Sequence, residues 1–228
     1  MKKIKVLAIC AIAFLAVSSA KAQFSTGADL VSSYVWRGIP QEGTAGTPNI
    51  QPYVAFTTGK LTLGSWASSS FIGNVKEVDL YATFAVSSKF AITLTDYYYN
   101  FASQPNYFKT GKETGHVFEG TLAYTGSKFS ASVNTMFAGA DKKASDGKQA
   151  FSTYVELGYQ ISPEAKFFLG SSLGESGAYY TSEFGVTNLG FKVTKSIALT
   201  DKFSLPVYGI VGVNPYAKGA YFVAGITL

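Results

Sequence analysis

The amino-acid sequence predicts an all-β fold: a single antiparallel transmembrane β-barrel of about 12 strands, with 10 or 14 strands as alternatives. Three observations lead to this prediction. Apolar and polar residues alternate along nearly every segment, the connections are alternately long and short, and the 228 residues include 15 Tyr and 18 Phe. Short turns at one end, longer loops at the other and aromatic girdles are typical of outer-membrane barrels. A soluble up-and-down barrel remains the alternative.

The N-terminal segment predicts a cleaved secretory signal peptide at residues 1–22, followed by the barrel at residues 23–228. A lysine-rich start precedes an apolar run from Val6 to Val17, and the sequence AKA at residues 20–22 resembles a signal-peptidase site. The apolar run is too short for a membrane-spanning helix, which needs about 20 residues.

Charge and composition exclude several kinds of site. Four of the 19 Lys and Arg residues lie within residues 1–22, which leaves 15 basic and 14 acidic residues in the predicted mature chain. This balance provides no basic face for nucleic acid. The chain has one cysteine, Cys10, and one histidine, His116. We therefore expect no cofactor, and neither a thiolate nor a multi-histidine metal site.

Alternation with a period of two residues identifies the individual strands. Between Phe129 and Phe137, for example, apolar residues occupy every second position except Thr135. The predicted strands are 24–37, 48–58, 60–72, 77–87, 89–101, 115–125, 128–139, 149–161, 166–174, 184–199, 203–213 and 218–228. The longest connection, 102–114, is a candidate for folding into the lumen.

Each of the five tight turns is followed by a lysine and a large apolar residue. These pairs are Lys60-Leu61, Lys89-Phe90, Lys128-Phe129, Lys166-Phe167 and Lys202-Phe203. We expect them to form the periplasmic girdle, where a lysine reaches the headgroups and its neighbour contacts the hydrocarbon edge.

The stretch VSSYVWRGIPQ at residues 31–41 places one arginine at the end of an aromatic run. Because an arginine facing lipid costs roughly 2–4 kcal/mol at the bilayer midplane, we assign Arg37 to the lumen face. Trp36 then faces the lipid as an outer-girdle residue.

The same test predicts a set of lumen charges: Arg37, Asp29, Asp79, Glu119, Glu156 and Lys192. One interpretation is structural, with Arg37 bracing the wall by pairing with Asp79 or Glu119. The other is a constriction that selects solutes by charge. Asp96 fails the test, because it shares a face with Phe90 and Leu94. Its strand either bulges there or has already left the hydrocarbon.

Two segments carry a resemblance to a known family. The sequence YVWRGIPQ at residues 34–41 follows the pattern aromatic-x-aromatic-Arg-Gly-Ile-x-Gln, and LTLGSWASS at residues 61–69 contains Gly-x-Trp-Ala. They resemble the first and third strands of a widespread family of Gram-negative outer-membrane proteins of unknown function, the Gcw_chp type. The resemblance covers the first third of the chain and implies an outer-membrane barrel, but no reaction or ligand. Leu228 departs from the terminal aromatic residue common in such barrels.

One motif suggests catalysis. The sequence GSSLG at residues 170–174 matches G-x-S-x-G, whose serine needs a strand-to-helix turn and a histidine base. Ser172 lies instead on a predicted strand, and His116 is the only candidate base. We expect no enzyme, and a membrane-embedded acyl-ester hydrolase is the distant alternative. The tyrosines at residues 97–99 and 179–180 predict an aromatic girdle or, less favoured, a surface that stacks on sugar rings.

The sequence therefore predicts a protein of the outer membrane of a Gram-negative bacterium. The favoured function is a narrow passive channel for small solutes, and the main alternative is a non-conducting structural or surface-recognition barrel. The expected partners are outer-membrane lipid, the barrel-assembly machinery acting through the C-terminal strand, and a small polar solute or a glycan.

Overall fold

The computed structural model describes residues 22–42, 46–72, 76–99, 107–109, 114–177 and 179–228. Residues 1–21 of the predicted signal peptide and most of the predicted 102–114 loop lie outside these ranges. Within the ranges, no helix is long and apolar enough to cross a membrane. The same residues contain no group of three or more His, Cys, Asp or Glu side chains that could hold a metal ion.

Twelve antiparallel strands close into a barrel, which confirms the predicted fold class. The barrel strands are β1 (Gln23–Val31), β4 (Asn49–Thr58), β5 (Leu61–Ser70), β6 (Lys76–Ala85), β7 (Phe90–Tyr99), β8 (His116–Thr125), β9 (Phe129–Gly139), β10 (Thr153–Gln160), β11 (Ala165–Ser172), β12 (Gly185–Thr200), β13 (Phe203–Asn214) and β14 (Gly219–Thr227). Each strand pairs with its neighbours along the chain, and β1 closes the ring by pairing with both β4 and β14. Two short strands, β2 (Val35–Trp36) and β3 (Ile39–Pro40), pair only with each other.

The outer face of the barrel carries large apolar side chains that the described protein atoms leave uncovered. Examples from strands around the wall are Leu80, Phe84, Ile92, Leu94, Leu122, Leu157, Phe191, Val211 and Phe222. The intervening residues point inward and are largely polar, which is why the strands alternate in sequence. An exposed apolar surface of this extent marks contact with a membrane or another apolar partner.

The two ends of the barrel differ. The end with the tight turns, which we call the turn end, contains Lys60, Lys89, Lys128 and Lys202, each immediately before the first residue of a strand. The apolar residue of each pair begins that strand and is exposed on the outer face. The opposite end, the loop end, contains the longer connections.

Lys166 corrects the predicted girdle. Strand β11 begins at Ala165, one residue earlier than the repeat predicts, so Lys166 is the second residue of the strand. Side chains alternate between faces, and Lys166 therefore points into the lumen while Phe167 points outward, against Phe191. The Lys166-Phe167 pair is not a girdle pair of the predicted kind.

Inward-facing tyrosines pack flat over glycines of the wall. The ring of Tyr154 lies where a side chain at Gly170 would be, and Tyr221 lies over Gly212 in the same way. A Cβ at either glycine would overlap the phenol ring. These tyrosines belong to the lumen wall, and they account for part of the high tyrosine content.

A charged residue on the exposed outer face should be costly if that face contacts lipid. Leu94 is the fifth residue of β7 and is 55% exposed. We expect Leu94→Arg to lower the free energy of unfolding in lipid vesicles by about 2–4 kcal/mol. The matched control is Ile72→Arg, at an 84%-exposed position beyond the end of β5. Equal costs for the two variants in urea unfolding would contradict a lipid-facing wall at Leu94.

Candidate functional site

The candidate site is a hairpin that folds into the barrel. Strand β1 ends at Val31, six residues before the predicted end at residue 37, and the chain then turns inward. Residues 32–41, which we call the lumen hairpin, contain β2 and β3 joined by Arg37 and Gly38. Both turn residues have positive φ angles, 51° and 81°, as a two-residue type I′ hairpin requires.

The conformation of Arg37 is unfavourable by itself. A non-glycine residue in the left-handed region costs roughly 1–2 kcal/mol. The contacts of the lumen hairpin with the barrel must offset this cost. Strained residues of this kind are concentrated at functional sites, so Arg37 is a candidate functional residue.

The base of the lumen hairpin is attached to one side of the barrel. The buried Tyr34 hydroxyl donates a hydrogen bond of 2.7 Å to Glu77 on β6. The Tyr34 ring packs against Trp66 on β5, with ring centroids 5.5 Å apart. Trp36 packs edge-on against Tyr97 on β7, at 5.8 Å.

The tip of the lumen hairpin reaches another part of the wall. The Gly38 carbonyl accepts a hydrogen bond of 3.2 Å from Asn214 on β13. A Cβ at Gly38 would overlap the backbone carbonyl of Thr187 on β12. The tip therefore fits against β12 only because residue 38 has no side chain, and the hairpin as a whole crosses the lumen.

The Arg37 side chain is held in a closely packed cage. Its guanidinium donates two hydrogen bonds to Glu119 on β8, at 2.6 and 2.8 Å, and a third to the Tyr180 hydroxyl. It also lies over the rings of Trp36 and Tyr154, at 4.6 and 4.8 Å from their centroids. Two-pronged arginine–carboxylate pairs and cation–π contacts are among the stronger polar interactions in proteins.

The Arg37–Glu119 pair is also well shielded from solvent. The Arg37 side chain is 12% exposed and that of Glu119 is 1% exposed. Glu119 accepts a further hydrogen bond of 3.0 Å from the Tyr97 hydroxyl. Of the two partners considered for Arg37, the structure places Glu119 against it.

Trp36 corrects a second expectation. The structure places it in the lumen, stacked on Tyr180 at 5.3 Å, and not on the lipid face. The physical reason is that the wall ends at Val31, so that alternation within residues 32–37 no longer separates lumen from lipid.

The other predicted lumen charges lie on the inner wall. Asp29 accepts hydrogen bonds from Tyr208 and Thr227, at 3.0 and 2.7 Å. Asp79 is buried two residues from Glu77, and each of these carboxylates has one buried oxygen without a hydrogen-bond partner among the described residues. The sequence reasoning missed Glu77, although its period-two relation to Asp79 was a usable signal.

A cavity of about 190 Å³ lies beside the lumen hairpin. Its lining includes Arg37, Gly38, Glu156, Lys166, Lys192 and Tyr221. The Glu156 carboxylate is engaged by the Tyr154 hydroxyl at 2.8 Å and by the Asn188 amide at 3.3 Å. Glu156 and Lys192 are thus lumen residues, as the alternation predicts, and Lys166 joins them.

The residues considered for catalysis are not in contact. The Ser172 hydroxyl donates to the carbonyl of Gly174, at 3.1 Å. Both ring nitrogens of His116 have other neighbours: Asp96 at 2.8 Å and the Tyr107 carbonyl at 2.6 Å. The described residues therefore contain no Ser172–His116 dyad.

The contact between His116 and Asp96 also explains why Asp96 lies on the same face as apolar residues. Strand β7 pairs without a bulge at Asp96, opposite Leu80 on one side and Phe118 on the other. The carboxylate faces outward near the loop end, where the His116 ring contacts it. Of the two interpretations of Asp96, the bulge in β7 is wrong.

Comparison with known proteins gives structural likenesses alone. No family model and no curated protein matches this chain, so membership of the Gcw_chp type is not confirmed. One similar solved structure is the NanC porin in a rhombohedral crystal form, with a TM-score of 0.49, 7% identity, and coverage of 89% of this chain and 98% of that chain. Another comes from a study of in-meso crystallization of membrane proteins, with a TM-score of 0.46, 12% identity, and coverage of 90% and 83%.

Proposed function

We propose that this chain is an outer-membrane β-barrel of a Gram-negative bacterium that passes small solutes passively through a lumen narrowed by the lumen hairpin. The observation that carries the proposal is the charged cavity beside the hairpin tip. A barrel filled only for stability would be expected to close such a space with side chains, because interiors are close-packed. The cavity instead keeps charged groups facing open space.

The size of the cavity supports a small solute. A volume of about 190 Å³ corresponds to roughly six water molecules at about 30 Å³ each. It lies below the roughly 300–1,000 Å³ of pockets that hold drug-sized ligands. The proposed solute is therefore a small polar molecule. Of a glycan, the cavity would hold one sugar unit.

The ion pair at the tip of the lumen hairpin supports selection within the lumen. Arg37 is both a brace, through its Glu119 pair, and a member of the cavity wall. Because Glu119 cancels the net charge of Arg37, the pair acts on a passing ion as a fixed dipole, which a narrow, low-dielectric passage strengthens. The two interpretations of Arg37 are thus compatible in one residue.

The specific alternative is a non-conducting barrel that serves in structure or surface recognition. The observation that favours this alternative is the close packing of Gly38 against the backbone of Thr187. A hairpin that remains in place there would act as a plug. In either case we propose outer-membrane lipid as the surroundings and the barrel-assembly machinery as the partner that receives β14.

Liposome swelling tests the proposal with solutes of graded size. We expect vesicles containing the refolded protein to swell in glucose and to swell far more slowly in a trisaccharide, because the cavity admits only small molecules. Heat-modifiable mobility on a gel verifies that the barrel is folded in each preparation. Vesicles that contain folded protein but do not swell in glucose would favour the non-conducting alternative.

A further inference from the structure

The inner wall places two lysines side by side without a carboxylate partner. Lys166 on β11 lies directly opposite Lys192 on β12. Like charges in directly opposite positions of two strands repel each other and destabilise the pair. Among the described residues neither lysine forms an ion pair. The repulsion is offset only in part by Glu156 in the same cavity, which forms no ion pair with either lysine, and a negative group placed between the two lysines would relieve it.

The nearby carboxylates accept hydrogen bonds from neutral groups, so they keep their negative charge, but among the described residues neither forms an ion pair with the two lysines. Glu156 lines the same cavity but binds Tyr154 and Asn188. Asp29 binds Tyr208 and Thr227, and the Lys192 ammonium lies over the Tyr208 ring, 4.2 Å from its centroid. The phenol ring thus holds Lys192 without cancelling its charge.

The local packing orients both lysines toward the cavity. The Lys166 chain lies over Gly158 on β10, where a side chain would overlap it. Gly158 thus provides the room that lets Lys166 lie along the wall. Lys166 and Lys192 both line the 190 Å³ cavity, with the Arg37 edge of the lumen hairpin on its other side.

We propose that this cavity is a binding subsite for a small organic anion, whose carboxylate or phosphate lies between Lys166 and Lys192. The hydrogen-bonding groups of Asn188, Glu156 and Tyr221 on the same wall suit the hydroxyls of such a molecule. The subsite rests on the proposed channel function for its biological meaning, because it gives the channel a preference for anionic solutes. The binding itself does not require conduction.

The first test measures binding by calorimetry on the refolded barrel in detergent. The probes are glucuronate, glucose and inorganic phosphate; glucose is the uncharged control for glucuronate. We expect glucuronate to bind and glucose to bind far more weakly. We expect Lys166→Gln with Lys192→Gln to weaken glucuronate binding about ten- to hundredfold, since charge-assisted hydrogen bonds are lost.

The matched control is Lys128→Gln with Lys202→Gln, which removes the same two charges from exposed turns at the turn end. We expect it to bind glucuronate as the unaltered protein does. Binding of phosphate but not glucuronate would assign the subsite to phosphate groups. Equal binding of glucuronate and glucose, or unchanged glucuronate binding in Lys166→Gln with Lys192→Gln, would overturn the proposal.

The second test separates the subsite from the channel. In planar bilayers with a KCl gradient, we expect the reversal potential to show a chloride preference. This preference should decrease in Lys166→Gln with Lys192→Gln and persist in Lys128→Gln with Lys202→Gln. A conducting protein without charge preference or glucuronate binding would overturn the subsite and leave the channel standing. A protein that gives no current but binds glucuronate would overturn the channel and leave the subsite standing.

Discussion

We expect Arg37→Ala to weaken the docking of the lumen hairpin by about 3–5 kcal/mol, because it leaves a buried carboxylate without its cation. Glu119 is 1% exposed and would retain only its neutral hydrogen-bond donors. The guanidinium contacts with Trp36, Tyr154 and Tyr180 would be lost as well. We expect the lumen hairpin to leave the lumen at a lower urea concentration than in the unaltered protein.

The chain supplies its own reporter for this experiment. Trp36 and Trp66 are its two tryptophans, so Trp66→Phe leaves only the one in the lumen hairpin. Emission from Trp36 should shift to longer wavelength when the hairpin enters water. The control is the double variant Arg37→Met with Glu119→Gln, which removes both charges. Its lumen hairpin should lose less docking free energy than that of Arg37→Ala alone. An Arg37→Ala protein with the same urea midpoint as its parent would contradict the bracing role.

Gly38→Ala should displace the lumen hairpin even without denaturant. The added methyl group would overlap the Thr187 carbonyl, which belongs to the barrel backbone and cannot rotate away. Residue 38 also has a φ of 81°, which a side chain disfavours. Overpacking and backbone strain together should weaken docking by about 2–5 kcal/mol. Emission from Trp36 in the Trp66→Phe background should then already be shifted in buffer.

Gly147→Ala is the matched control, since it separates strain from overlap. Gly147 has a similar φ of 69°, but no atom lies within 4 Å of the position that a Cβ would occupy there. We expect Gly147→Ala to lower the free energy of unfolding by only about 1–2 kcal/mol and to leave Trp36 emission unchanged. If the two alanine variants give the same Trp36 spectrum, the tip of the lumen hairpin does not pack against β12 as described.

The number and order of barrel strands could be predicted from the sequence because burial on one face imposes a period of two. That pattern is local, and burial follows it, for example along the first half of β6, where exposed and buried residues alternate. The same pattern failed at residues 32–37. Tyr34 and Trp36 alternate as strand residues do, yet they pack inside the barrel against side chains far away in sequence.

The lumen site was predictable only in part for a related reason. Alternation placed Asp29, Glu119, Glu156 and Lys192 on the inner wall, but it does not specify which of them meet. The ion pair of Arg37 with Glu119 spans 82 positions and depends on how the barrel closes. Tyr180 comes from a loop without periodicity, and Lys166 was missed because its strand begins one residue early.

Two residues in the sequence could have indicated the lumen hairpin. Gly38 follows Arg37 where a two-residue turn needs a positive φ, and Pro40 is disfavoured within a central strand. Both suggest that the first strand ends before residue 37. Neither indicates that the chain then turns into the lumen, because that depends on the space enclosed by the other strands.

Single-channel conductance of the refolded protein beside Gly38→Ala tests the central claim most directly, because both the cavity and the hairpin lie in the proposed conducting path. We predict small, discrete current steps from the unaltered protein and larger steps from Gly38→Ala, in which the lumen hairpin no longer narrows the barrel. Folded preparations of both proteins that give no steps, or steps of equal size, would contradict a channel narrowed by the lumen hairpin.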